Sequence, residues 1–107
     1  IGINFMSEKK SFVSILIPAF NEADYIEQTL NSLLGSSYPK NFYEIIIIDG
    51  GSTDGTKTIV SNIIKCNKNI KIFDNPKKIQ SSGLNIGIKK SRGSILIRAD
   101  AHAIFHT

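Results

Sequence analysis

The sequence predicts an α/β fold: a parallel sheet of about four strands with helices on both faces. Three observations carry that expectation. Four consecutive isoleucines, Ile45 to Ile48, run straight into Asp49-Gly50-Gly51. An apolar β-branched run with no polar alternation suits a strand covered on both faces. Strand-like and helix-like segments then alternate three times and a fourth strand follows, the pattern of right-handed crossovers. Finally, each strand-like run ends in polar chain, which gathers polar groups at the carboxyl edge where open parallel sheets bind ligands.

The elements follow in order. Residues 1–11 read as a leader or an added segment, with Met6 a candidate natural start. "SFVSILIP" (11–18) is a short strand that Pro18 ends. In the next segment Ile26, Leu30, Leu33 and Leu34 form one apolar helical stripe. Asn21 is placed to cap this helix, Asp24 three residues on resembles a capping box, and Gly35 with Pro39 closes it. The isoleucine strand occupies 43–49. A second helix, about 54–66, presents Ile59, Val60, Ile63 and Ile64. "NIKIFDN" (69–75) is a third strand stopped by Pro76. Ser81 or Ser82 opens a third helix, which runs through Leu84 and Ile88 to Gly93, and "SILIRAD" (94–100) is the fourth strand.

At 107 residues the chain is one domain, large enough to bury a core. Its 41% hydrophobic and 21% charged content is that of an ordinary globular protein. A net charge of +4 favours anionic partners weakly. The basic residues are scattered, so no nucleic-acid partner is expected. Cys66 is the single cysteine, which excludes an intrachain disulfide and suits a reducing compartment. Its apolar surroundings point to a packing role. No apolar run reaches the length of a membrane span. The expected location is cytoplasmic, with the full-length protein at the inner face of the cell membrane as an option.

Four strand ends deliver polar groups to one edge: "PAFNE", "DGGSTD", "DNPKK" and "RADAH". Each has an ordinary explanation alone: a helix start, a turn with a cap, a solvated loop, or chance. Their convergence favours a site. The first turn has no glycine, which excludes the G-x-G-x-x-G dinucleotide pattern, and no phosphate-loop run exists. In "RADAH", Asp100 and His102 alternate on an extended segment, so both can face one region. A carboxylate with an imidazole suits Mn²⁺ better than Mg²⁺, and such an ion could bridge a diphosphate and neutralise a leaving group.

"SILIPAFNEADYIEQTLNSLL", "EIIIIDGGSTDGT" and "NPKKIQSSGLNIGIKKSRGSILIRADAH" together resemble the nucleotide-binding half of a family 2 glycosyltransferase of the GT-A fold. The likeness runs from about residue 12 to about 105, and its last motif is most similar to the bacterial exopolysaccharide (succinoglycan-type) enzymes. The resemblance implies that Pro18, Ala19, Asn21 and Glu22 form the loop beside nucleobase and ribose. It implies that Asp49 accepts from the imino N–H of uracil. Gly50 stands where many relatives carry a second acid, and Asp54 matches the later acid of that motif. Lys78 is implied near the base or phosphates, with Asn85 and Gly87 in the helix that follows. Asp100 matches the first acid of the D-x-D signature and His102 its metal-contacting third position, where histidine replaces aspartate. A divalent metal, Mn²⁺ or Mg²⁺, is the implied cofactor.

The expected partners are a UDP-sugar donor and a saccharide or lipid-linked acceptor. Residues 12–107 are expected to be the donor-binding half, stopping before the acceptor half that carries the catalytic base, and the exposed seam is expected to favour self-association. Two other readings compete: a non-catalytic nucleotide-binding or protein-interaction module of the same fold, and a receiver-like signalling domain. A receiver needs an acidic pair at the end of the first strand, where this chain has Pro-Ala-Phe-Asn.

Overall fold

The structure is a computed structural model that describes residues 11–77 and 80–101, so the expected leader falls almost wholly outside it. Strand β1 (Val13–Ala19) leads to helix α1 (Ile26–Leu34). A 3-10 turn (Lys40–Phe42) enters β2 (Tyr43–Asp49), and α2 (Thr56–Ile64), β3 (Ile70–Asp74), α3 (Gln80–Lys90) and β4 (Ile95–Arg98) follow. The four strands form one sheet in the order β3-β2-β1-β4, and every pairing is parallel. The chain therefore steps outward from β1 to β3, then returns to the far side of β1. Because crossovers keep one hand, that reversal puts α3 on the opposite face from α1 and α2.

Packing bears this out. Odd-numbered residues Ile17, Ile45 and Ile47 bury against Ile26, Leu30 and Leu33 of α1 and Val60 of α2. Even-numbered Leu16, Ile46 and Ile48 bury against Leu84 and Ile86 of α3. All seven residues of β2 are buried, which is why its sequence shows no alternation.

Three local expectations are corrected. Pro18 does not end β1, which continues to Ala19 opposite Asp49. The Ala99 N–H donates to the Leu16 carbonyl at 3.0 Å, so the backbone of Pro18, two residues on, faces β4. There its absent N–H ends the β1–β4 ladder at the Leu16–Arg98 pair. The α3 stripe is not Leu84 and Ile88, since Ile88 is exposed. The helix turns Gly83 and Gly87 inward, and a Cβ at Gly87 would lie 3.1 Å from Ile48 and 3.2 Å from Leu16. Two glycines one turn apart thus bring the backbone onto the sheet. Cys66 is exposed beyond the end of α2 rather than packed.

The amino edge of the sheet is pinned by Glu44, 1% exposed. Its Oε2 accepts from Ser14 Oγ and from the Arg92 N–H, both at 2.7 Å, while Lys71 Nζ lies 3.4 Å from Oε1. The Gly93 N–H donates to Ser14 Oγ at 2.8 Å. A Cβ at Gly93 would stand 2.6 Å from Ser14 N, so only glycine fits this close approach. Burial alone would raise the Glu44 pKa, but the Ser14 hydroxyl, the Arg92 amide and Lys71 outweigh it and hold the carboxyl below its usual range. A depressed carboxyl contributes stability above its unfolded pKa and loses it as pH falls through the folded value. Glu44→Gln should therefore cost about 1–3 kcal/mol at neutral pH, by leaving buried donors poorly matched. It should also flatten the acid limb of stability. Urea melts from pH 7 down to pH 3 check this; parallel acid limbs in both proteins would remove Glu44 from the account.

Candidate nucleotide site at the carboxyl edge

Because β1 and β2 pair in parallel to their last residues, Ala19 and Asp49 lie side by side. The loops that follow emerge in contact, and the Gly50 N–H donates to the Ala19 carbonyl at 2.8 Å. Asp49 is fully buried and organises the second loop. Its Oδ2 accepts from the N–H groups of Gly51 (2.9 Å) and Ser52 (2.8 Å), and its Oδ1 accepts from Ser52 Oγ at 2.6 Å. Gly51 adopts φ +97°, a left-handed turn that glycine makes at no steric cost and that curls both amides back onto the carboxylate.

Ser52 in turn holds the first loop, its Oγ accepting from the Asn21 N–H at 2.8 Å. Asn21 does not cap α1. It sits at φ +52° and its Oδ1 accepts from the Thr53 N–H at 2.8 Å, so the expected cap and the Asp24 capping box are both replaced by a contact across the site. Helix α1 begins only at Ile26, with no side-chain cap. Buried Thr56 accepts from the Glu22 N–H at 2.9 Å, and Asp54 Oδ2 accepts from the Ala23 N–H at 3.0 Å. The Thr56 hydroxyl, with the amides of Ala23 and Thr56, holds the Asp54 carboxyl below its ordinary range. The sequence reading missed Ser52 and Thr56 as lacing residues, because hydroxyls in a glycine-rich turn look like turn formers.

Asp49, Asn21 and Asp54 thus spend polar atoms on building the two loops. Other groups at this edge stay open to solvent. Phe20, at the tip of β1, is 54% exposed, an aromatic face that a mostly polar reading of "PAFNE" passed over. Asp74 at the end of β3 is paired with Lys57 at 3.0 Å. Asp100 follows β4 and is exposed between buried Ala99 and Ala101. Thr29 Oγ1 of α1 donates to the Ala101 carbonyl at 2.7 Å and fixes that segment. Lys78 and His102 lie outside the described residues. Among the described residues no group of three His, Cys, Asp or Glu side chains could hold a metal; Asp100 offers an uncommitted carboxylate at the end of β4. The strand order reverses between β1 and β4, the switch point at which open α/β sheets bind ligands. Phe20 and Asp100 flank that crevice.

The lacing has a measurable cost when cut. Asn21→Ala should destabilise by about 1–3 kcal/mol, from an orphaned Thr53 amide and a left-handed backbone. Asn21→Gly should recover the backbone share alone. Urea denaturation of the two variants checks this, and equal losses would show that φ at residue 21 stores no strain.

Comparison with known proteins agrees with the geometry. Residues 14–107 match the description of glycosyl transferase family 2. Over 95 residues the chain is 43% identical to a dolichyl N-acetyl-alpha-D-glucosaminyl phosphate diacetamido-dideoxy-glucuronosyltransferase of Methanococcus voltae, a match covering 87% of this chain and 30% of that protein. It is 39% identical over 93 residues to the succinoglycan biosynthesis protein ExoA of Rhizobium meliloti, covering 85% and 28%. Among solved structures, GalNAc-T7 with UDP, GalNAc and Mn²⁺ superposes with a TM-score of 0.76 at 27% identity, over 89% of this chain and 19% of that one. The chain spans about a third of the length of these curated relatives. Its four-stranded parallel sheet with three helices matches the GT-A glycosyltransferase fold of that solved structure, and the chain belongs to glycosyl transferase family 2.

Proposed function

We propose that this chain binds the UDP portion of a nucleotide-sugar donor, as the donor half of an enzyme that transfers a sugar to a growing polysaccharide or lipid-linked acceptor. One observation carries the reading: the laced β1 and β2 loops meet an exposed aromatic ring and an exposed carboxylate at the switch point of the sheet. In this reading the base stacks on Phe20, since base–aromatic stacking contributes about 1–3 kcal/mol. Pro18, Ala19, Asn21 and Glu22 shape the wall beside base and ribose. Asp49 accepts from three donors already, and a carboxylate has about four lone-pair sites. Its part is chiefly to set the loop, with one lone pair left for an imino N–H. Asp54 positions the same loop, and Lys78 meets base or phosphate.

Asp100 supplies one carboxylate toward a divalent ion, with His102 as its companion. A carboxylate and an imidazole together suit an ion that shares its remaining positions with a diphosphate. Mn²⁺ suits an imidazole-containing set better than Mg²⁺, and bound there it would neutralise diphosphate charge. The acceptor cleft and the general base, which must reach the acceptor hydroxyl, are assigned to segments of the kind that make the relatives about three times longer. Among the described residues no helix is long and apolar enough to cross a membrane; the location proposed is the cytoplasm, at the inner membrane face when the acceptor is lipid-linked.

Calorimetric titration tests the donor half. UDP should bind at least fivefold more tightly than ADP, and Phe20→Ala should weaken UDP about tenfold while leaving the fold intact. Saturating UDP should raise the melting temperature. Equal or better ADP binding refutes the assignment. Mn²⁺ should strengthen UDP binding and His102→Ala should abolish that gain; identical affinity in chelator would take His102 out of the site.

A sugar-transfer assay tests the division of labour. This chain alone should show no turnover, and turnover matching that of a full-length relative would overturn the half-enzyme reading. Edge strand β4 exposes Ile95, Leu96 and Ile97 by 45–46%. Among the described residues nothing pairs with the outer side of β4, and an edge with apolar flanks favours pairing with another copy, so light scattering should show association that grows with concentration. A monodisperse monomer would count against an uncovered seam.

A further inference from the structure

The amino edge of the sheet, opposite the nucleotide crevice, carries a concavity of about 480 Å³. Lys40, Lys68 and Arg92 line it together with the amides Asn41, Asn67 and Asn69. Seven-residue strands rising about 3.3 Å per residue put it roughly 20 Å from the crevice. We propose that this concavity is an anion site for a phosphate or diphosphate group, held through Lys40, Lys68 and Arg92.

Arg92 is preset for such a role. Its guanidinium lies 4.7 Å from the centre of the Phe12 ring, and its Nε is 3.6 Å from Glu44 Oε1. One edge of the fork is thereby fixed, and a guanidinium has five N–H donors in a rigid plane. The wall also contains two buried polar atoms without a partner, Tyr43 Oη and Asn69 Nδ2. Burial pushes the Tyr43 phenol up, offset in part by the Asn69 side chain beside it. Both atoms lie within the wall, beneath the surface that Lys40, Lys68 and Arg92 present.

Charge distribution points the same way. Lys65 caps α2 at this edge, whereas the carboxylate described there, Glu44, is buried. Asp49, Asp54, Asp74 and Asp100 lie at the other edge. Lys40, Lys68 and Arg92 thus give the concavity a local positive field that attracts a multiply charged anion.

The group could belong to a soluble diphosphate or to a phospholipid headgroup, and the test separates them. Inorganic pyrophosphate is titrated calorimetrically into the chain in chelator, with backbone amide shifts followed by NMR. Binding should shift residues 67–69 and weaken at least tenfold in Lys40→Gln/Lys68→Gln. Lys89→Gln/Lys90→Gln removes the same charge outside the concavity and should change affinity less than twofold. In parallel, sedimentation with phosphatidylglycerol vesicles is compared with phosphatidylcholine vesicles. Retention on the anionic vesicles that the Lys40/Lys68 variant loses assigns the lipid source; pyrophosphate binding without retention assigns the soluble one. No binding in either arm, shifts confined to residues 50–53, or equal weakening by the two double variants overturns the site.

Discussion

The unbroken parallel register between β1 and β2, from Val13 opposite Tyr43 to Ala19 opposite Asp49, is the constraint on which the rest of this structure depends. It ends both strands at one level, so the two loops that follow cannot avoid one another. The chain turns that crowding into order: Asp49 gathers the amides of Gly51 and Ser52, and Ser52 and Thr56 then hold the backbone of Asn21 and Glu22. The loops become a rigid wall whose own polar atoms are mostly satisfied. A wall of that kind reorganises little when a ligand arrives, which lowers the ordering cost of binding.

The far side of the crevice is made by an omission. Pro18 cannot donate to β4, so the ladder stops at Leu16 and Arg98, and the strand ends on either side of the reversal are free to diverge. Phe20 and Asp100 stand on the two lips of that gap. Specific polar wall, aromatic face and carboxylate therefore come from three different strand ends, and only a sheet with all strands parallel presents them together.

Much of this was legible in the sequence. The isoleucine run announced a strand covered on both faces, and the alternation of elements fixed the layer order, because hydrophobic period and crossover handedness are local rules. What was not legible depended on partners distant in sequence. Asn21 followed by Asp24 satisfies the local pattern of a helix cap, but Thr53, 32 residues away, offers a better-placed amide. In α3 the apolar pattern chose Leu84 and Ile88 because glycine carries no hydrophobic weight; packing chose Gly83 and Gly87 because they allow close approach. Phe20 looked like one more apolar residue until its exposure was known. The buried role of Glu44 had no signal at all, since a lone acid at a strand start looks like surface.

The hub around Glu44 also bears on how the chain reaches its native state. The Gly93 amide meets Ser14 across 79 residues of intervening sequence, whereas β1 and β2 are joined by a far shorter connection. Closing the longer loop costs more chain entropy, and the contacts that compensate it, Ser14 and Glu44, become adjacent only when β1 and β2 have paired. Strand β4 thus adds to a scaffold already assembled, and it does so through a glycine that admits no side chain. The lip of the crevice bearing Asp100 therefore follows the strand whose docking closes that longer loop. Closing that loop and completing the ligand crevice are one and the same docking step.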